Sequence, residues 1–226
     1  MQTGDERDGR HLPEAAVERL AGYLRVLSTL PPIGTICSDD LATAAGVKPA
    51  QLRRDLSYLG SNGTRGVGYD IVLLTQTLSS ALGAQQSHRV ALVGVGNLGR
   101  ALVGYSGFRG RGFKLAALFD VDPHKVGRFV GDLRIDAGAD IVEVCTDRGI
   151  SIGVIATPRE SAQGVADVLV AAGVRSILNF APAVLEVPSD VRIRRVDLGL
   201  ELQMLAFHEA RRAEETTRTS NRGSTS

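Results

Sequence analysis

Tryptophan is absent from this 226-residue chain, and aromatic residues make up only 4% of it. A stacking platform for single-stranded nucleic acid needs several aromatic faces, so that class of binder is excluded. Cysteine occurs only at Cys37 and Cys145. Two distant cysteines support neither a disulfide framework nor a zinc knuckle. Both read as structural, no metal site is expected, and a reducing cytoplasm is the expected location. Long apolar runs are missing: Ile71–Leu74 and Val165–Val174 are too short or too interrupted to span a bilayer. The opening MQTGDERDGR has no apolar stretch, so no signal peptide is expected. Charge imbalance is missing as well, with 26 Lys and Arg against 25 Asp and Glu. The overall charge therefore gives no warrant for a nucleic-acid partner. What remains is an ordinary globular composition, 43% hydrophobic and 23% charged, long enough for one large domain or two small ones.

Residues 1–12 read as a flexible tail. Pro13 opens a helical pattern in which Val17, Leu20, Leu24 and Leu27 share one face, and Pro31–Pro32 stops it. Ser38 is placed to cap a short helix, Asp39–Ala45, that ends at Gly46. A second helix restarts at Pro49, giving a helix-turn-helix. Leu52, Leu56 and Leu59 form its core face, and Arg54 lies nearly opposite. Next, GSNGTRGVGY (Gly60 to Tyr69) has the glycines and the Asn-Gly step of a hairpin, with Arg65 near its tip. A helix-turn-helix followed by such a hairpin is a winged helix. Lys48, Arg53, Arg54 and Arg65 face only Asp55 in charge across this stretch. Standing alone, that cluster would be a solvated surface. On a recognition helix and a wing it suits a major groove and an A·T-rich minor groove. The DNA-contact candidates are Lys48, Gln51, Arg53, Arg54, Ser57, Tyr58 and Arg65. Asp70–Leu82 reads as a further helix, which sets a winged-helix domain at 13–83 and a linker at 84–88.

Arg89–Val93 has strand character and leads straight into Gly94-x-Gly96-x-x-Gly99, with a helix after it. In that context the glycines form a dinucleotide fingerprint: Gly94 makes the tight turn, Gly96 admits the pyrophosphate, and Gly99 lets the helix close on the strand. The next strand, KLAALFD, ends at Asp120, where an acid is expected to bind a ribose 2′-hydroxyl and favour NAD(H) over NADP(H). Strands at Ser151–Thr157, Ser176–Phe180 and Val191–Val196, with a helix at Glu160–Ala172, continue the βα alternation. Thr157, Pro158 and Asn179 fall at the carboxyl ends of strands, where open α/β sheets bind ligands. A helix at 198–215 places Leu198, Leu202, Leu205 and Ala206 on one side, with Met204 and Phe207 extending the apolar surface. It needs a partner, in its own domain or a second subunit. Residues 216–226 read as a disordered tail. A dehydrogenase is the first rival, but residues 89–197 leave no room for a substrate domain. His11, His88, His124 and His208 are all poorly placed as its acid or base, so no catalytic residue is expected. A repressor sensing a coenzyme A ester, or a winged helix that binds only protein, are the others.

LRRDLSYLG, GTRGVGY, VGVGNLGRALVGY, ALFDVDPHKVG and VDLGLELQ, in that order, resemble the Rex family of redox-sensing transcriptional repressors over residues 13–210. The resemblance implies an α/β chain: an N-terminal winged helix-turn-helix domain, a Rossmann-type parallel-sheet domain at 89–197, and a C-terminal helix exchanged in a homodimer. It implies NADH and NAD⁺ as regulatory ligands and a palindromic double-stranded operator upstream of respiratory and fermentative genes, released when NADH binds. The recognition helix falls on Gln51–Tyr58 and the wing arginine on Arg65. The phosphate loop covers Gly94, Val95, Gly96, Asn97, Leu98 and Gly99, and the ribose acid is Asp120. The family's contact set between domains falls on Arg25, Tyr105 and Asp197. Leu198 stands where many relatives carry an aromatic residue.

Overall fold

The computed structural model describes residues 12–60, 63–64, 66–83, 86–108 and 111–223, with side chains as far as 212. They fall into two compact units, Met1–Ser87 and His88–Ser226.

The first unit holds helices α1 (Glu14–Leu27), α2 (Ser38–Ala44), α3 (Pro49–Ser57) and α4 (Ile71–Ala81), and strands β1 (Thr35–Ile36) and β2 (Tyr69–Asp70). Its core is Leu20, Tyr23 and Leu27 from α1, Leu41 from α2, Leu52 and Leu56 from α3, and Leu74 and Leu78 from α4. Pro13 lies just outside α1, where its carbonyl accepts the N–H groups of Ala16 and Val17. The expected cap of α2 is displaced by one residue. Ser38 is already helical. The extended Cys37 is the cap, its Sγ accepting the Asp40 N–H at 3.3 Å. The α2–α3 turn follows the sequence closely. Gly46 has φ +69, Gly46 N–H donates to Thr43, and Val47 N–H donates to Ala42. That pair of bonds is the Schellman motif, which only a residue comfortable at positive φ completes. β1 and β2 pair antiparallel, and a Thr64–Gly68 bridge forms the wing between α3 and β2. Arg65 and Asn62 lie outside the described residues.

The second unit is a seven-stranded sheet in the order β5-β6-β4-β3-β7-β8-β9. The strands are β3 (His88–Val93), β4 (Phe113–Asp120), β5 (Phe129–Val130), β6 (Leu133–Ala137), β7 (Ile152–Ile155), β8 (Ser176–Asn179) and β9 (Arg192–Arg195). All pairings are parallel except the β5–β6 hairpin. Apart from β5, the order is that of a doubly wound dinucleotide-binding sheet, with its switch point between β3 and β7. Helices α6 (Ile141–Asp147) and α7 (Arg159–Ala171) cover one face through Ile141, Cys145, Ala162 and Leu169. On the other, Val90, Leu92, Leu118 and Val154 meet Leu102 and Val103 of α5 (Asn97–Val103). Burial pushes the Cys145 thiol up to about 11, which keeps it an inert core group. β3 starts one residue before the expected strand, because His88 N–H pairs with Gly112 and its ring stacks on Phe113. β5, β6 and α6 occupy a stretch, 121–150, to which no element was assigned from sequence.

The last helix, α8 (Leu198–Gly223), corrects the expected boundary at 215. Residues 216–223 continue the helix rather than form a disordered tail. No Pro or Gly interrupts 200–222, so nothing breaks the backbone ladder before Gly223. No helix among the described residues is long and apolar enough to cross a membrane.

Candidate functional site

The glycine loop sits at the carboxyl end of β3, at the switch point. Gly94 adopts φ +96, and a Cβ there would lie 2.6 Å from the Ala156 carbonyl oxygen. A Cβ on Gly99 would strike the Gly94 carbonyl oxygen. These two glycines let the loop close on itself. Gly96 differs: a Cβ there meets nothing within 4 Å. The space over Gly96 is what a diphosphate needs to approach the backbone. Val95 is fully buried, whereas Asn97 and Leu98 are exposed at the start of α5.

Asp120 closes the loop from β4. Its Oδ2 accepts the Val95 N–H at 2.9 Å and Lys125 Nζ at 3.1 Å, and its Oδ1 accepts the Asp122 N–H at 2.9 Å. Burial alone would raise the pKa of this carboxyl, but the backbone N–H groups of Asp122 and Val95 and the Lys125 ammonium outweigh it. Asp120 is therefore held ionised below the usual carboxylate range. A fixed anion at a strand's carboxyl end is suited to accept a hydroxyl and would repel a phosphate. Lys125 is engaged by Asp120 and, at 3.7 Å, by Asp122.

Thr157, at the end of β7, carries the one buried side-chain polar atom without a partner among the described residues. Its Cγ2 would lie 3.0 Å from a Cβ on Gly94, so its methyl packs against the loop. Such an orphan hydroxyl is expected where a ligand supplies the missing hydrogen bond. Pro158 leads into α7. Asn179 corrects its expected role. It is buried, its Oδ1 accepts the Ala181 N–H, and its amide donates to the Ala183 carbonyl. Both ends of the side chain hold its own loop instead of reaching for a ligand.

The helix-turn-helix contains a feature that the charge count conceals. Asp55 is fully buried. Arg19 grips it with Nε at 2.6 Å and Nη2 at 2.8 Å, Tyr23 Oη donates at 2.7 Å, and Gln51 Nε2 at 2.9 Å. Four donors fill the four lone-pair positions of one carboxylate. Burial opposes the charge, but Arg19, Tyr23 and Gln51 prevail and hold the Asp55 carboxyl below its ordinary range. Asp55 raises the Arg19 guanidinium, and burial together with Asp55 raises the Tyr23 phenol. α1 is thereby fastened to α3. One sequence signal existed: Asp55 falls among Leu52, Leu56 and Leu59, a charge on an apolar stripe.

The DNA-contact candidates separate into two groups. Lys48, Arg54 and Ser57 are exposed on or beside α3, and Tyr58 is half-buried. Arg53 is exposed too, but it is tied to the start of α2 through Ser38 Oγ at 3.3 Å and Asp39 at 3.7 Å, and so braces the two helices. Of the expected coupling set, Arg25 is exposed in the first unit. Tyr105 meets Phe108 edge-on at 5.2 Å. Asp197 binds Arg195 at 3.2 Å and caps α8 through the Leu200 N–H.

Two family models match this chain: a putative DNA-binding protein N-terminus over residues 11–57, and a CoA-binding domain over 85–183. The redox-sensing transcriptional repressor Rex of Streptomyces griseus is 53% identical, covering 95% of this chain and 85% of that protein. Rex of Streptomyces coelicolor is 54% identical over 91% and 81%. The chain belongs to the Rex family of redox-sensing transcriptional repressors. Rex of Desulfitobacterium hafniense matches at 46%, over 87% of this chain and 95% of that one. Among solved structures, RSP, a Rex-family repressor, in complex with β-NAD⁺ and operator DNA superposes with a TM-score of 0.82. It is 32% identical and covers 96% of this chain and 99% of that one. RSP with β-NADH gives 0.82 at 30% identity, over 91% and 97%. These Rex relatives are repressors rather than enzymes, and their winged-helix-plus-Rossmann order is the order described above.

Proposed function

We propose that this protein represses transcription according to the NADH/NAD⁺ ratio, holding a palindromic operator when NADH is low and leaving it when NADH binds. The observation that carries the reading is the loop at 94–99, closed on the ionised Asp120, open over Gly96 and packed against the Thr157 methyl. Those residues fit a dinucleotide: Gly96 admits the diphosphate, Asp120 takes the ribose, and Thr157 gains a partner. NADH and NAD⁺ differ chiefly by one positive charge on the nicotinamide. A dry apolar pocket selects the neutral form, because desolvating a charge is costly. Lys48, Arg54, Ser57, Tyr58 and the wing Arg65 contact DNA, and Arg25, Tyr105 and Asp197 report ligand occupancy. The residue boundaries are 13–83 for the winged helix, 89–197 for the Rossmann domain, and α8 for dimerisation. A protein that reads chromosomal DNA and this ligand pair works in the cytoplasm.

Binding linkage supplies the test. A ligand moves DNA binding only through different affinities for the two states, and the effect is reciprocal. The chain has no tryptophan, so NADH fluorescence reads binding without indole energy transfer. Saturating operator is expected to weaken NADH binding by the same factor by which NADH weakens operator binding. An unchanged NADH affinity on operator would sink the model.

We further propose a homodimer in which α8 of each copy is seated on the other. Leu198, Leu202, Leu205 and Phe207 are all more than half exposed in the single chain. A groove of about 390 Å³ on the same unit is lined by Val90, Phe108, Phe113, Ile152, Val154 and Leu178, together with Arg111, Arg192 and Arg194. Acidic Glu201 on α8 is opposite in charge to those arginines. Leu202→Glu with Leu205→Glu should yield a monomer by light scattering and weaken operator binding at least ~10-fold, since two half-sites are no longer read together. A dimer of unchanged mass would contradict this seating.

A further inference from the structure

Gln51 opens the recognition helix and reaches back four residues to donate to Asp55 Oδ1 at 2.9 Å. Its amide could in principle face either way. Asp55 removes the choice, because an ionised carboxylate only accepts. The NH₂ end must face inward and the carbonyl oxygen must face away. Gln51 is half-buried, and the only partnerless buried side-chain polar atom among the described residues is Thr157 Oγ1. The Gln51 carbonyl oxygen is therefore not sealed in the interior. The first turn of a recognition helix is the part that meets base edges. In the major groove an outward oxygen pairs with an exocyclic amine, which adenine and cytosine carry and guanine and thymine lack there.

We infer that Gln51 reads an amine-bearing base, adenine or cytosine, in each operator half-site, and that Asp55 sets this preference as a positioning residue by fixing which end of the Gln51 amide faces the DNA. The inference rests on the reading of α3 as the recognition helix. The three donors from α1 and Gln51's own helix hold Asp55 in place. Gln51 therefore meets the groove with its amide already turned, and little side-chain freedom is left to lose on binding.

The test compares wild type, Gln51→Met and Asp55→Asn as full chains. Each selects from a pool of palindromic duplexes randomised in both half-sites, and affinities are then read by anisotropy. Wild type is expected to select a single base pair at one symmetric position that becomes degenerate in Gln51→Met while the other positions persist. Where that pair is A·T, replacing its adenine by purine, which lacks the amine, should weaken wild type about 5- to 10-fold and leave Gln51→Met unchanged. Asp55→Asn replaces the fixed acceptor with an amide that can present either end, so the Gln51 amide is no longer held one way and the preference should relax. Gln51→Met keeps Asp55 in place, so its comparison decides the matter even where Asp55→Asn melts too low to assay. Failure of wild type to retain any duplex would overturn the DNA-reading function and this inference with it. Retention of duplexes with an identical preference in Gln51→Met would overturn this inference alone. A folded Asp55→Asn with the wild-type preference would overturn the role of Asp55.

Discussion

Asp55→Ala is expected to unfold the winged-helix unit well below the wild-type melting temperature. Removing one partner of a buried ion pair costs about 3–5 kcal/mol, because the remaining charge stays in the interior uncompensated. Here the Arg19 side chain keeps 31% of its exposure. Water absorbs part of its cost, which places the loss nearer to about 3 kcal/mol. The Tyr23 hydroxyl, buried and deprived of its acceptor, adds to it. Calorimetry on the full chain measures the shift. The carboxyl is held below its unfolded value, so its stabilisation is complete above the unfolded carboxylate range. It is lost as pH falls through the lowered folded value. Acid melting of wild type should therefore steepen below about pH 4, and Asp55→Asn should lack that component. Equal melting temperatures for wild type and Asp55→Ala at neutral pH would show that the network contributes nothing.

Gly96→Ala should separate folding from sensing. Gly96 is extended, with φ −81, and a Cβ there finds open space. The substitution at this cap position costs the fold no more than about 1 kcal/mol. The same methyl fills the space the diphosphate needs and removes it from the loop N–H groups. NADH affinity should fall at least ~100-fold, a loss of about 2.7 kcal/mol. The variant is expected to melt like wild type, bind operator with wild-type affinity and ignore NADH. Gly99→Ala, by contrast, drives a methyl into the Gly94 carbonyl and should destabilise the whole second unit. A Gly96→Ala protein that still binds NADH normally would place the ligand somewhere other than over this loop.

The parts legible in the sequence were those carried by local chemistry. Gly46 had to end α2, Gly94 and Gly99 had to close a loop, and Asp120 had to end β4; each is a short-range steric or capping requirement. What escaped was carried by distant contacts. Asp55 entered only as a charge, because its partners Arg19 and Tyr23 lie 36 and 32 residues away. Asn179 passed for a ligand contact because its position at a strand end is shared by binding and loop-tying residues alike. Arg53 entered as a groove candidate, and its contacts with Ser38 and Asp39 of α2 escaped because they lie 14–15 residues away. The β5–β6 hairpin had a signal, Gly131-Asp132 between the apolar Phe129-Val130 and Leu133, but its two-residue β5 is too brief for periodicity to register. The end of α8 was placed too early because polar composition was given more weight than the absence of any helix breaker.

NADH, held in the second unit, is expected to release DNA held by the first. The most direct measurement is fluorescence anisotropy of a labelled palindromic A·T-rich duplex saturated with the full chain. NADH, NAD⁺ and coenzyme A are titrated separately into the complex. NADH alone is expected to return the anisotropy to that of free duplex, at concentrations where NAD⁺ and coenzyme A leave the complex intact. Persistence of the complex while NADH fluorescence shows the ligand bound would contradict it.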